Sequence, residues 1–65
     1  MTLARAIERL RIERSCNLIE SRRISIKAVS VQRGFSSEEV MRRSFMRSLY
    51  VGPADYRKRF FAFQT

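Results

Sequence analysis

Sixty-five residues suffice for one domain, and a chain this short buries only roughly 60% of the surface its unfolded form exposes, which leaves little room for an active-site cleft. Fourteen Lys and Arg against six Asp and Glu, with a net charge of +8 and a pI near 11.3, select phosphate-rich or anionic-membrane partners. One cysteine and no histidine fit neither a disulfide-stapled secreted fold nor a zinc module, so the expected setting is a reducing cytoplasm.

Residues 3 to 21 contain no Gly or Pro and are rich in Leu, Ala, Arg and Glu, so one long helix is expected there. Its apolar positions do not form a single stripe. At about 100° per residue, Leu3, Ala6, Ile7 and Leu10 share one face of the first half, whereas Ile12, Ser15, Cys16 and Ile19 share nearly the opposite face of the second. Each half suits a different neighbour. The second half can cover the elements that follow; the first half either meets a partner outside this chain or is an ordinary frayed amphipathic end.

After a polar hinge at Ser21, Arg22 and Arg23, Ser25 is the expected N-cap of a helix from 26 to about 33. Ile26, Val29 and Ser30 lie on its core side. Gly34 falls where a helix C-terminus takes a left-handed residue, and Phe35 behind it can anchor the turn. Ser36 with Glu39 matches the S-x-x-E capping box, which starts a helix over 37 to 49. Its buried face would be Met41, Phe45 and Leu49, with small Ser44 and Ser48. Val51, Gly52 and Pro53 stop that helix and begin a closing helix over 53 to 63, with Pro53 suited to the first helical position and Asp55 to the first turn. Tyr56 and Phe60 point inward on it. Three roles stay open to Phe61 and Phe63: closing the core, fraying, or forming an apolar patch.

The span from 25 to 49, two short helices around a glycine turn, has the outline of a helix-turn-helix, which lays its second helix into the DNA major groove. Twelve of the fourteen basic residues are Arg, favouring forked contacts to phosphate or guanine over diffuse attraction. On the second helix, Glu38, Glu39, Arg42, Arg43, Met46 and Arg47 lie away from the core face. Arg42 or Arg43 can fork onto guanine, and Glu38 or Glu39 can accept from cytosine, each bidentate contact discriminating by about 1–3 kcal/mol. The i,i+4 pairs Glu38 with Arg42 and Glu39 with Arg43 would also hold each guanidinium in position, or would merely support an exposed helix. Phosphate contacts are expected from Lys27, Ser36, Ser37, Arg57 and Lys58. Arg5, Arg9, Arg11 and Arg14 alternate with Glu8 and Glu13 and read as a solvated face.

Other functions find little to use. Without His, and with Cys16 on an apolar helix face, there is no nucleophile and base pair to assign, so no enzyme, metal or cofactor is expected. Cys16 reads as a small core hydrophobe. No apolar run approaches the ~20 residues of a membrane span, and residues 1 to 15 mix Arg and Glu, unlike a signal peptide. No internal repeat is visible.

These residues resemble the second helix-turn-helix unit of AraC/XylS-type bacterial transcription regulators. The resemblance runs from about Ala4 to Phe60, through RLRIERS and LIE in the connecting helix, SIKAVSVQRGFSSEEVMRRSF in the helix-turn-helix, and V-x-P-x-x-YRKRF in the closing helix. It implies an all-α, homeodomain-like fold with a long connecting helix (1–21), a helix-turn-helix (25–49) and a closing helix (53–63). It implies that Glu38, Glu39, Arg42 and Arg43 face bases, with Val40 nearby. It also implies that the Leu3, Ile7 and Leu10 face packs on a first helix-turn-helix unit, with a sensor domain elsewhere. Several positions depart from the family pattern. Met41 replaces Leu, Phe or Tyr, Tyr50 replaces Gly or Asp, Gly52 replaces a capping Ser or Thr, and Ala6 stands where a larger aromatic is common. If the backbone is kept, Tyr50 in place of a left-handed glycine costs about 1 kcal/mol.

The expected function is therefore sequence-specific duplex DNA binding in transcription regulation, as one half of a bipartite reader. The rival is a truncated regulator acting as an interaction module, which self-associates through Leu3, Ile7 and Leu10 or through Phe61 and Phe63. A basic amphipathic peptide on membranes is a third class, opposed by the glycine turn and the helix caps.

Overall fold

Every regular element among the described residues, 2–21 and 23–63 of this computed structural model, is a helix. The order is α1 (Leu3–Ile19), α2 (Ile26–Gln32), α3 (Glu38–Leu49) and α4 (Pro53–Ala62). Thr2 caps α1, its hydroxyl accepting from the Arg5 N–H at 3.2 Å. Ser25 caps α2 as expected, accepting from Ala28 N–H at 3.1 Å. Arg22, the middle of the expected polar hinge, lies outside the described residues.

The turn between α2 and α3 is a Schellman motif. Gly34 takes φ 79°; its N–H reaches Val31 O at 3.3 Å and the Phe35 N–H reaches Ser30 O at 2.9 Å, satisfying carbonyls the helix end would leave open. Phe35 then turns into the core. The start of α3 differs from the expectation by one residue. The N-cap is Ser37 rather than Ser36, and its hydroxyl accepts from Val40 N–H at 3.1 Å. There is consequently no capping box, because Glu39 sits two residues past the cap and uses its carboxylate on Arg42 instead.

The core is Ile12 and Ile19 of α1, Val29 of α2, Phe35 of the turn, and Met41 and Phe45 of α3, with Cys16, Leu18, Ile24, Ile26 and Tyr56 packed against it. Phe45 meets Tyr56 edge to face, with ring centroids 6.4 Å apart. The two-faced reading of α1 holds: Ile12 is 2% exposed, while Leu3 on the other face is 78% exposed. Ser15 and Ser30 are buried without strain on hydrogen bonding, since each hydroxyl donates to a carbonyl of its own helix, Arg11 O at 2.8 Å and Lys27 O at 2.6 Å.

Two expectations, the buried face of α3 and the end of α1, are corrected, and the roles left open for Phe61 and Phe63 are separated. Leu49 is 39% exposed and Ser48 is exposed, so the buried face of α3 is Met41, Ser44 and Phe45 and stops short of the last turn. The first helix ends at Ile19 rather than 21, where Arg57 of α4 takes the Ile19 carbonyl. Phe61 and Phe63 also part company. Phe61 packs edge to face on Phe60 at 5.2 Å, whereas Phe63 is exposed.

Candidate nucleic-acid interface

The second helix of the helix-turn-helix, α3, is held by its inner face and free on its outer one. Met41 and Phe45 are fully buried beneath it, and Gly34 and Phe35 fix the angle at which the chain enters it. Glu38, Glu39, Arg42, Arg43, Met46 and Arg47 are all exposed. A rigid helix with polar side chains projecting from one face is the shape that enters a major groove.

The charges on that face are arranged differently from the expected i,i+4 ladder. Glu39 pairs with Arg42, one position nearer than Arg43. Arg42 Nε donates to Oε1 at 2.7 Å and Nη2 to Oε2 at 3.0 Å, a fork on a carboxylate. This bond, first, holds the Glu39 carboxyl below the ordinary value and the Arg42 guanidinium above it. Glu38 and Arg43 make no ion pair among the described residues, so Arg43 presents an uncommitted guanidinium beside a braced one.

The residues expected on phosphates divide. Lys27 on the first turn of α2, Ser36 and Ser37 before α3, and Lys58 on α4 are exposed; the Ser37 hydroxyl accepts the cap bond and keeps its own proton to donate. Arg57 is placed otherwise. Its Nε donates to Ile19 O at 2.9 Å and its Nη2 to Ser21 O at 3.1 Å and to Ile24 O. Three carbonyls of the α1–α2 turn thus converge on one guanidinium. Beside it the Tyr56 hydroxyl donates to Glu20 Oε2 at 2.6 Å, and that bond, ahead of burial, raises the phenol above its ordinary value. Burial likewise pushes the Cys16 thiol up.

Besides the Arg57 fork, two long-range contacts of charged residues were not legible in the sequence. Arg47 near the end of α3 reaches back to Glu8 of α1, with Nε at 3.2 Å and Nη2 at 2.9 Å from Oε1, and Arg11 lies over the Phe35 ring at 5.6 Å. Both join residues distant in sequence, and pattern along a single helix carries no signal for them. The Tyr56 bond had one signal, since an inward tyrosine needs a partner for its hydroxyl.

Among the described residues no group of His, Cys, Asp and Glu could hold a metal ion, and no helix is long and apolar enough to cross a membrane. No family model and no solved structure matches the chain. The chain is similar to the HTH-type transcriptional regulator Rv1931c of Mycobacterium tuberculosis, with 38% identity over 56 residues, which are 86% of this chain and 22% of that protein. It thus spans only a small part of the length of the curated relative it matches. The four-helix unit that carries the likeness is an all-α helix-turn-helix fold.

Proposed function

We propose that this chain is a duplex-DNA-binding unit of a transcription regulator that reads sequence by inserting α3 into the major groove. The observation that carries the reading is the outer face of α3, where Glu38, Glu39, Arg42 and Arg43 project from a helix whose opposite face is locked in the core. The likeness to a helix-turn-helix regulator supports it independently. Within that class the motifs favour the second unit of an AraC/XylS-type regulator. Arg43 forks onto guanine, Arg42 is delivered in a plane set by Glu39, and Glu38 accepts from cytosine. Lys27, Ser36, Ser37 and Lys58 hold the backbone, while Arg57 supports the interface through the α1–α2 turn.

The exposed face at Leu3, Ile7 and Leu10 is the surface for a first unit. Joining two units raises apparent affinity by roughly 10²–10⁴ through effective concentration, so this unit alone binds weakly and with a steep salt dependence. The test is selection from random duplex DNA at low salt, comparing the parent with the Arg42→Ala, Arg43→Ala double variant, each confirmed folded by circular dichroism. Enrichment of a short motif by the parent that the variant loses is expected. Equal binding of every sequence by both would overturn base reading by α3, and no binding by the folded parent would overturn DNA binding itself in favour of an interaction module.

A further inference from the structure

The groove between the first half of α1 and the end of α3 is lined by Arg5, Glu8, Arg9, Arg47 and Ser48. Three guanidinium groups thus face one carboxylate across two helices, a local excess of two positive charges. Sequence order disguises this: along α1 alone Arg5 and Arg9 alternate with acids, but the spacing 5, 8, 9 puts all three on one side of the helix. Glu8 then spends its Oε1 on Arg47 of the neighbouring helix, so Arg5 and Arg9 make no ion pair of their own among the described residues.

The groove is also continuous with the face assigned to base reading. Arg47 follows Arg43 by one helical turn and lies on the same side of α3. The twelve residues of α3 span about 18 Å, more than the ~12 Å width of the major groove. With the first turns of α3 on base edges, its last turn stands at the wall of the groove, where the phosphates are. Planar, permanently charged guanidinium groups there match phosphodiester oxygens, and the Ser48 hydroxyl adds a donor.

We propose that the α1–α3 groove is a DNA-backbone site, in which Arg5, Arg9 and Arg47 take phosphates of the duplex that α3 reads and Glu8 holds Arg47 in place until a phosphate displaces it. This rests on the DNA-binding reading above. It assigns to α1 a direct contact, distinct from its role in the core.

The test measures binding of a fluorescent duplex by anisotropy over a range of salt concentrations, for the parent and for Arg5→Ala, Arg9→Ala, Glu8→Gln and Arg14→Ala. Arg14 lies about 180° around α1 from Arg5 and serves as the control for net charge. Each lost phosphate contact lowers the slope of log affinity against log salt by about 0.9. The expected result is that Arg5→Ala and Arg9→Ala each lose about that amount without changing sequence preference. Glu8→Gln tightens binding at a given salt concentration, because no carboxylate has to be displaced from Arg47, while the number of phosphate contacts and hence the slope stay the same. Arg14→Ala leaves the slope unchanged. Equal losses at Arg5, Arg9 and Arg14 would reduce the effect to net charge and overturn the site, as would unchanged slopes at Arg5 and Arg9 in a parent that still binds. Only a folded parent without any duplex binding would bring down the DNA reading together with it.

Discussion

Tyr50 ends α3 with φ 60° and ψ 23°, a left-handed backbone that a residue with a Cβ resists. Its side chain is 86% exposed and offers little burial in return. Tyr50→Gly is therefore expected to raise stability by about 1 kcal/mol, measured as a higher urea midpoint at an unchanged slope; a drop would show that the ring does more than its exposure indicates. Two residues later, Gly52 caps α4 without a side-chain hydrogen bond, so this turn lacks both of the aids that residue choice usually supplies. Tyr56 carries the clearest pH signature. Its hydroxyl is held above the ordinary phenol value by Glu20, so the folded state keeps the proton that the unfolded state loses near about pH 10. The stabilisation is complete below that pH and is lost as pH rises beyond it. Tyr56→Phe should be less stable than the parent at pH 7, with the gap closing above about pH 10 in denaturation measured across pH. A gap that stays constant would show that the hydrogen bond is not linked to ionisation. The residue-level assignments that rested on backbone rules, Ser25 and Gly34, were legible because caps and left-handed turns depend on a few adjacent residues, whereas the left-handed Tyr50 was signalled only by the resemblance, which has Gly or Asp there. The Ser36 cap missed by one because two serines stand together there, and one-dimensional pattern cannot rank them.

At the level of elements, α1 does two jobs along its length. Its second half buries Ile12, Ser15 and Ile19, while Leu10 in the first half remains 48% exposed. Ile12→Ala should cost about 2–5 kcal/mol, enough to abolish a cooperative thermal transition in so small a domain. Leu10→Ala should stay within about 0.5 kcal/mol. Comparable losses at both would mean that the first half is packed on something in solution, and sedimentation would then reveal the association. α4 works mainly as a brace. Arg57 gathers carbonyls from Ile19, Ser21 and Ile24 and so joins the end of α1 to the approach to α2. Arg57→Ala should cost about 2 kcal/mol, in the range for hydrogen bonds to a charged group, and Arg57→Lys should recover only part of it, since an ammonium lacks the fork. Chemical denaturation of the three proteins checks both, and a lysine variant equal to the parent would reduce the brace to charge alone. Helix identity and order were legible because Gly, Pro and caps punctuate the chain. The fate of Arg57 was not, because its neighbours in sequence, Tyr56 and Lys58, say nothing about which carbonyls lie across the bundle.

For the molecule as a whole, a net charge of +8 announces an anionic partner, but its effect depends on where the charges gather. Arg57 is turned inward on backbone carbonyls, Arg42 is braced by Glu39 and Arg47 by Glu8. The cation count therefore overstates the number of free phosphate contacts. The helices, the glycine turn, the two-faced first helix and the outward face of α3 were legible from residue order alone, because helical periodicity, capping and backbone conformation are written in residues no more than a few positions apart. That Leu49 stays outside the core, that Arg57 serves the turn, and that Arg5 and Arg9 line one groove with Arg47 came from the packing of the helices. Each of those depends on how helices distant in the chain are laid against one another, and packing of this kind sets which charges meet.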